Sequence, residues 1–327
     1  MSKRDVWRPS ASLDMIKARA ELLAKLREFF RQTGIMEVET PVCSRFGVTD
    51  PAIESFTSRY TGPGAAQGVK IYLHSSPEFP MKRLLAAGSG PIYQICKVFR
   101  DGELGARHNP EFSLLEWYRP GYDHHQLMDE VAALLRGLLP ESMTVEHLTY
   151  AEAFQRYLGI DPHTATIEEV RQTAVQKGIS GAEKLEMEQT DGWLDLLLSH
   201  LIEPHLGRGR MTFLYDYPAS QAALARLGAG EPPVAERFEL YLEGMEIANG
   251  FHELTDTVEQ KARFEKENAA RSQQGLTSVP MDQNLLDALG AGLPDCAGVA
   301  LGIDRLLMFL TGVEQIDRVI AFPFARA

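Results

Sequence analysis

The sequence has little cysteine and no long apolar run. Its three cysteines, Cys43, Cys96 and Cys296, are far apart and form no C-x-x-C pair. Neither a zinc site nor a disulfide framework is therefore expected, and a reducing compartment fits. No segment approaches the roughly 20 consecutive apolar residues of a membrane span, and the amino-terminal MSKRDVWRPS lacks the apolar core of a signal peptide. These absences predict a cytoplasmic protein without a membrane partner.

Positive charge is also in short supply. The chain has 33 Lys and Arg against 45 Asp and Glu, which gives a net charge of −12. Because affinity for nucleic acid comes mainly from cationic contacts with phosphates, this balance opposes non-specific nucleic-acid binding and favours a basic or cationic partner. The 327 residues are 44% hydrophobic, enough for one large α/β domain or two smaller ones with a sizeable core.

The stretch from Phe99 to Tyr118 has the densest chemistry. The turn dipeptides Asp101-Gly102 and Asn109-Pro110 predict a strand, a loop and a second strand. On the second strand, a period of two places an aromatic ring, a carboxylate and a phenol on one face. That face is formed by Phe112, Leu114, Glu116 and Tyr118, and the loop contains Arg100, Glu103, Arg107, His108 and Asn109. The set suits a flat heterocycle, a polyphosphate and a cationic group, and the alternative is a hairpin with solvated charges at its tip.

A second cluster, at 236–256, is rich in carboxylates although acidic residues are depleted in strands. One predicted strand face has Glu239 and Tyr241, and another has Asn249, Phe251 and Glu253. Glu246 is out of phase with Asn249, so a bulge or turn must lie between them if both reach one site. Paired carboxylates beside ATP chemistry suggest Mg²⁺, and an edge strand with solvated acids is the alternative.

A third cluster is a glycine-punctuated strand at 298–302 that leads into a helix. Gly302 allows a ligand to approach the backbone closely. Arg305 can reach a phosphate, stack on a ring, or pair with Asp304. Glu78 follows a predicted strand at 71–74, and either faces a pocket or is a carboxylate in the first turn of a helix.

The remaining pattern predicts alternating helices and strands. The first helix is expected over 13–33, capped by Ser12 and Gly34. Further helices are expected at 79–87, at 124–139 and within 140–210. Further strands are expected at 34–41, 92–99, 213–218 and 319–322.

Three stretches together resemble the class II aminoacyl-tRNA synthetases. Gly34–Pro41 looks like motif 1, Phe99–Phe112 like motif 2, and Gly298–Arg305, with its G-x-x-R, like motif 3. His108–Phe112 and Asn249–Leu254 resemble the lysyl-tRNA synthetases. The resemblance implies an α+β fold with a mainly antiparallel sheet flanked by helices. It also implies a single catalytic domain over 1–327, with motifs at about 34–41, 99–118 and 298–310 and a helical insertion at about 140–210.

The same resemblance implies an enzyme that uses ATP and Mg²⁺ to activate a lysine-like amino acid as an adenylate, in a homodimer formed through motif 1. The expected catalytic residues are Arg100 and Arg305. The expected ATP-binding residues are Arg100, Asp101, Gly102, Glu103, His108, Asn109, Phe112, Glu246, Ile247, Gly302 and Arg305. The expected substrate-binding residues are Ser76, Pro77, Glu78, Glu116, Tyr118, Asn249, Phe251, Glu253 and Ala300. The expected metal ligands are Glu239 and Glu246.

The acceptor of the activated amino acid is expected to be a protein. Lysyl-tRNA synthetases have an anticodon-binding β-barrel before motif 1, whereas only about a dozen residues precede the first helix here. This truncation resembles the family of ligases that join β-lysine to a lysine of elongation factor P, and tRNA is then not a partner. Lysyl-tRNA synthetases typically have glycine where this chain has Ala300. The extra methyl group, worth ~1–3 kcal/mol of discrimination, should disfavour α-lysine.

Two alternatives remain open at this stage. A minimal lysyl-tRNA synthetase would use the same activation chemistry but a different acceptor. A catalytically silent paralogue would bind only a regulatory partner, and it predicts damaged motif 2 and motif 3 arginines. Arg100 and Arg305 are both present.

Overall fold

The computed structural model describes residues 7–327, so residues 1–6, which enter the expectation that no signal peptide is present, lie outside the described residues. The chain forms two compact units. One, the discontinuous unit, combines the chain up to residue 121 with residues 255–327, and the other, the continuous unit, is residues 122–254. The description of 1–327 as one catalytic domain stays a prediction.

Helices and strands alternate irregularly along the described chain. The α-helices are α1 (Leu13–Thr33), α2 (Glu78–Ala86), α3 (His124–Arg136), α4 (Tyr150–Leu158), α5 (Ile167–Gln176), α6 (Thr190–Leu197), α7 (Thr257–Gln273), α8 (Gln283–Gly292) and α9 (Ile303–Thr311). The strands are β1 (Met36–Glu37), β2 (Cys43–Ser44), β3 (Thr57–Tyr60), β4 (Val69–Leu73), β5 (Ile92–Phe99), β6 (Glu111–Pro120), β7 (Thr144–Thr149), β8 (Arg210–Pro218), β9 (Val234–Leu242), β10 (Met245–His252) and β11 (Cys296–Gly302). None of the helices within 7–327 combines the length and apolar composition needed to cross a membrane.

Two sheets form the framework of the discontinuous unit. Four strands lie in the order β1-β5-β6-β11, where β1 runs parallel to β5 and the other pairs are antiparallel. A smaller antiparallel sheet has the order β2-β4-β3. The antiparallel β5–β6 pair with its connecting loop confirms the predicted strand, loop and strand around residues 99–118.

The first helix packs against the β5–β6 pair as its sequence predicts. The hydroxyl of Ser12 accepts a hydrogen bond from the backbone N–H of Met15, and Gly34 ends the helix in a left-handed conformation at φ 71°. The ring of Phe30 stacks on Tyr93 with centroids 4.2 Å apart and meets Trp117 edge-on at 5.4 Å. Because side chains alternate along a strand, the residues next to Trp117 on β6 point to the other face of the sheet.

The continuous unit is a second set of mainly antiparallel strands with helices packed against it. Its strands lie in the order β10-β9-β8-β7, with β7 parallel to β8. Helices α4, α5 and α6 bury an apolar cluster that includes Tyr150, Phe154, Trp193 and Leu197. Helix α3 packs against β9 and β10, and the ring of His124 in its first turn lies 6.5 Å from that of His252 at the end of β10.

The structure corrects three of the predicted elements. The predicted strand at 319–322 is wrong. The carbonyl of Val319 accepts hydrogen bonds from the guanidinium of Arg19, and the carbonyl of Ala321 accepts one from Ser10 N. These carbonyl groups are therefore bonded to a side chain and to a loop rather than to a neighbouring strand. The strand predicted at 34–41 is limited to Met36–Glu37. Strand β7 lies within the segment 140–210 that was predicted to be helical.

Candidate active site

The predicted amino-acid pocket begins with a carboxylate on β6 of the discontinuous unit. Glu116 Oε2 accepts a hydrogen bond from Ser76 Oγ at 2.7 Å, and its Oε1 accepts one from Tyr118 OH at 2.7 Å. Ala300 lies directly opposite Glu116 in the β6–β11 register, so its methyl group is on the same face of the sheet. Four predicted substrate residues of this unit are therefore neighbours, and the methyl of Ala300 lies beside the side chain of Glu116.

Burial makes Glu116 an unusual carboxylate. Its side chain is 2% exposed, and burial, followed by the negative charge of Glu78, raises its pKa to about 7. Glu78 itself begins α2, after Pro77, and accepts a hydrogen bond from Lys82 Nζ at 2.6 Å. The structure thus confirms the first-turn carboxylate, one of the two alternatives for Glu78, and its place in a substrate pocket stays a prediction.

Sequence reasoning missed two residues beside this carboxylate pair. Lys82 is 1% exposed and neutralises Glu78; the i,i+4 spacing of the two residues on a helix was the available signal. Glu267 accepts a hydrogen bond from the hydroxyl of Thr49. Burial, and then the charges of Asp50 and Glu78, raise the pKa of Glu267 to about 7. This region therefore contains a third acidic side chain in addition to Glu78 and Glu116, which the sequence pattern predicted.

The predicted catalytic arginine lies over the predicted adenine platform. The guanidinium carbon of Arg100 is 5.1 Å from the centroid of the Phe112 ring, and its Nη1 is 3.6 Å from Glu103. No residue of 7–327 accepts a hydrogen bond from Arg100 Nε, although this atom is shielded from solvent. An oriented, buried donor of this kind suits a ligand oxygen, because unsatisfied buried donors are costly.

The motif 3 arginine meets the motif 2 histidine. Arg305 Nη2 is 2.6 Å from His108 Nε2. Burial, followed by the charge of Arg305, lowers the pKa of His108, so the imidazole is neutral at pH 7 and accepts this hydrogen bond. Asp304, the alternative partner of Arg305 in the sequence, instead accepts hydrogen bonds from Ser113 N at 2.6 Å and from Arg19.

Other motif 2 residues make hydrogen bonds that stabilise the loop itself. Asn109 is buried; its amide donates to the carbonyl of Glu111 at 2.6 Å and accepts from Phe324 N at 2.9 Å. Asp101 accepts a hydrogen bond from Gly102 N at 2.9 Å, and Gly102 has a left-handed φ of 80°. Contact of these three residues with ATP stays a prediction.

In the continuous unit, a β-bulge brings the acidic cluster onto one sheet face. The register between β9 and β10 pairs Glu246 with Tyr241 and Asn249 with Glu239, and it shifts between Glu246 and Ala248. The extra residue, Ile247, corrects the phase difference, as the sequence required. Glu253 follows β10 and is 1% exposed.

Arg237, an arginine that the sequence reasoning missed, organises this face. Arg237 donates to Glu239 Oε1 at 2.5 Å and to Asn249 Oδ1 at 3.2 Å. Its guanidinium also lies over the rings of Tyr217, at 4.5 Å, and Phe251, at 6.0 Å. Burial lowers the pKa of Arg237, but the negative charge of Glu239 and the other groups around it outweigh burial and raise this pKa. The spacing of two residues along a strand would have predicted that Arg237 and Glu239 lie on the same face. The contact of Arg237 with Asn249 on β10 could not be predicted in this way, because the register of β10 depends on the bulge.

The carboxylates of this face fit the Mg²⁺ that the resemblance implies. Glu239 and Glu246 lie on one face of adjacent strands, and Mg²⁺ prefers carboxylate and phosphate oxygens. Glu239 Oε2 accepts from Tyr241 OH at 2.6 Å and Oε1 accepts from Arg237. An ionised carboxylate has about four lone-pair sites, so these two hydrogen bonds orient it and leave lone pairs that can bind a cation.

This chemistry agrees with the comparison against protein families. A family model described as tRNA synthetases class II (D, K and N) matches residues 4–326. The chain belongs to this family. The family confirms the α+β class with mainly antiparallel strands that the resemblance implied.

Relatives within the class II family resemble the chain along its whole length. A protein of Salmonella dublin named elongation factor P–(R)-β-lysine ligase is 51% identical over 327 residues, which covers 100% of both chains. Proteins of Salmonella heidelberg (strain SL476) and Salmonella typhimurium with the same name are 50% identical over 327 residues, again with 100% of both chains covered. The chain is therefore as long as these relatives and aligns with them from end to end.

Proposed function

We propose that the protein is an ATP-dependent, AMP-forming ligase that activates (R)-β-lysine, or lysine, and transfers it to a lysine side chain of translation elongation factor P. The observation that carries the proposal is the end-to-end match, at 51% and 50% identity, to relatives named for this reaction. The presence of Arg100 and Arg305 supports an active enzyme. Because the acceptor is a translation factor, we place the enzyme in the cytoplasm.

In the first step, a carboxylate oxygen of the amino acid attacks the α-phosphorus of ATP. The bond from that phosphorus to the bridging oxygen breaks, and pyrophosphate leaves. Arg100 would hold the α-phosphate and the attacking carboxylate, because its Nε–H is already oriented and lacks an acceptor among residues 7–327. Negative charge grows at this point of the reaction, so a positioned cation lowers the barrier. The adenine would lie on Phe112, with Arg305 on its other side.

The amino groups of the substrate would be bound by acidic side chains. Glu116 is fixed by Ser76 and Tyr118, and Glu78 is the neighbouring carboxylate. A hydrogen bond between charged groups contributes ~1.5–3 kcal/mol. The remaining pocket residues carried over from the resemblance are Asn249, Phe251 and Glu253.

In the second step, the amine of the acceptor lysine attacks the carbonyl carbon of the adenylate. The bond from this carbon to the phosphate oxygen breaks, AMP leaves, and the new amide loses the extra proton of the amine to solvent. No nucleophile of the enzyme is needed. Glu239 and Glu246 would hold Mg²⁺, which when bound neutralises phosphate charge. We also propose a homodimer formed through motif 1.

The acceptor is tested by transfer with purified components. The enzyme is incubated with ATP and β-lysine, and either elongation factor P or total tRNA from the same organism is added. We expect mass spectrometry to find one β-lysyl group on a lysine of elongation factor P, and alkali-stable product on the protein only. Transfer to tRNA at an equal or greater rate would instead favour a minimal lysyl-tRNA synthetase, and absence of ATP–pyrophosphate exchange with every amino acid would favour a silent paralogue.

The Ala300→Gly variant is expected to relax the choice of amino acid. The methyl group borders Glu116 across the β6–β11 register, so removing it should give α-lysine room near the carboxylate. We expect the ratio of kcat/KM for β-lysine over α-lysine to fall about tenfold, as a methyl group contributes ~1–3 kcal/mol of discrimination. Pyrophosphate exchange with each amino acid measures the ratio.

Ala297→Gly, on the same strand, is the matched control for the loss of a methyl group, because Ala297 pairs with Arg119 rather than with a pocket residue. An unchanged ratio in Ala300→Gly would show that the methyl group does not set the selectivity.

A further inference from the structure

Two histidines and a glutamate of the continuous unit converge where α3 begins. His124 is the first residue of α3, Glu236 lies on β9, and His252 is the last residue of β10. One ligating atom from each of the three lies within 4.8 Å of the other two. His124 and His252 are 5% and 7% exposed. The ligase reaction proposed above assigns no role to any of the three.

The environment of His124 leaves both of its ring nitrogens available to a ligand. Both ring nitrogens of His124 are shielded from solvent, and neither makes a hydrogen bond to any residue of 7–327. Asp216 Oδ1 lies 3.4 Å from His124 Nε2 but does not meet it in hydrogen-bonding geometry. A buried imidazole without a hydrogen bond costs free energy, so a group that bonds to it would stabilise the unit.

The other histidine is arranged so that a cation can replace a proton. His252 Nδ1 is 2.6 Å from Glu236 Oε2, and His252 Nε2 is 3.1 Å from Arg226 Nη1. A guanidinium only donates, so Nε2 accepts and the proton of the ring is on Nδ1. Nδ1 lies beside Glu236 Oε2 but does not meet it in hydrogen-bonding geometry. Metal binding at histidine releases such a proton. A tetrahedral ion with ligands at ~2.0–2.1 Å separates its donor atoms by about 3.3 Å, so the pair needs to open by less than ~1 Å.

We propose that His124, Glu236 and His252 form a zinc site, with Asp216 or a water molecule as the fourth ligand. Two imidazoles and a carboxylate are a ligand set that Zn²⁺ favours, whereas Mg²⁺ takes oxygen ligands. The site is therefore separate in chemistry from the Mg²⁺ proposed at Glu239 and Glu246. The bound ion would join the first turn of α3 to β9 and β10. The scarcity of cysteine does not bear on a site made of histidine and glutamate.

The experiment measures metal binding by the full-length protein without an affinity tag. The protein is stripped with a chelator, and equilibrium dialysis against Zn²⁺ is followed by elemental analysis. We expect one tightly bound Zn²⁺ per chain, not displaced by millimolar Mg²⁺, and a tetrahedral absorption spectrum when Co²⁺ is used as the probe. A melting temperature that rises with Zn²⁺ would accompany binding.

Three variants distinguish the site from adventitious binding. His124→Asn should weaken Zn²⁺ binding by about 10- to 100-fold or more, whereas His147→Asn, at an exposed histidine of β7 outside the cluster, should leave it unchanged. Arg226→Gln should tighten binding, because it removes a positive charge and its amide oxygen can accept the Nε2–H of a zinc-bound His252.

The proposal is overturned if the wild-type protein takes up no Zn²⁺, or if His124→Asn binds it as tightly as wild type. If His124→Asn fails to fold, anomalous diffraction at the zinc edge from wild-type crystals decides: a peak among the three side chains supports the site, and its absence overturns it. Loss of the zinc site leaves the proposed ligase reaction untouched, because that reaction is measured by pyrophosphate exchange with Mg²⁺.

Discussion

Arg100→Ala is expected to lower the rate of ATP–pyrophosphate exchange by about 10²–10³-fold, the usual cost of removing one donor aimed at developing charge. The effect should fall mainly on kcat, because the guanidinium meets the negative charge that grows on the α-phosphate as the carboxylate attacks. Arg100→Lys should restore only part of the rate, since an ammonium group cannot hold two oxygens in the planar geometry of a guanidinium. Exchange with β-lysine at saturating ATP measures the change.

Lys97→Ala is the matched control for the loss of a cation. Lys97 lies on β5 just before Arg100 and is exposed, with Glu111 at 3.7 Å. Exposed ion pairs contribute little, about 0–1 kcal/mol, so the activity of this variant should stay within a few-fold of wild type. If Arg100→Ala keeps full exchange activity, or if Lys97→Ala loses as much, Arg100 does not have the catalytic role assigned to it.

Local periodicity predicted those parts of the site that lie within one element. A period of two on β6 placed Glu116 and Tyr118 on one face, and the structure joins them by a hydrogen bond. The phase difference between Glu246 and Asn249 required a bulge, and the β9–β10 register contains one. These inferences succeed because a strand has a fixed side-chain period, so neighbours along it are known before any tertiary contact.

The contacts that remained hidden join residues far apart in sequence. Thr49 bonds to Glu267 across 218 positions, and Arg19 takes the carbonyl of Val319 across 300 positions. The second contact explains the wrong strand at 319–322: β-rich composition favours a strand, but the backbone groups there are used by distant partners. No periodic pattern within one segment reports such a choice.

Burial also changes the chemistry of predicted residues in a way that composition cannot show. Glu116 and Glu267 look like ordinary carboxylates in the sequence, yet burial raises the pKa of each to about 7. The cause is the loss of solvent around groups whose neighbours are themselves acidic. The proposed pocket for an ammonium group would therefore be built at a cost to the unliganded protein.

Glu116→Gln is expected to lower kcat/KM for β-lysine by roughly tenfold, because a charge-assisted hydrogen bond of ~1.5–3 kcal/mol becomes a neutral one of ~0.5–1.5 kcal/mol. In wild type, the carboxyl with a pKa of about 7 loses its charge as the pH falls. The kcat/KM for the amino acid should therefore fall about tenfold per pH unit below pH 7, and Glu116→Gln should lack this acidic limb. Pyrophosphate exchange between pH 5.5 and 8.5 measures both effects.

The same substitution should stabilise the unliganded protein at high pH. The pKa of Glu116 is higher in the folded protein than the ordinary 4.5, so its contribution to stability is fully present below the ordinary pKa and is lost as the pH rises through about 7. A glutamine cannot ionise, so the melting temperature of Glu116→Gln should exceed that of wild type at pH 8 and approach it near pH 5.

Glu111→Gln, at a half-exposed carboxylate on the same strand, is the matched control. It should keep the pH profile of wild type, and its melting temperature should differ little from that of wild type at either pH. If Glu116→Gln keeps the acidic limb of wild type, another group titrates there, and Glu267 is then the carboxyl to replace. If Glu116→Gln is inactive but no more stable at pH 8, the carboxylate binds the amine without the burial cost inferred for it.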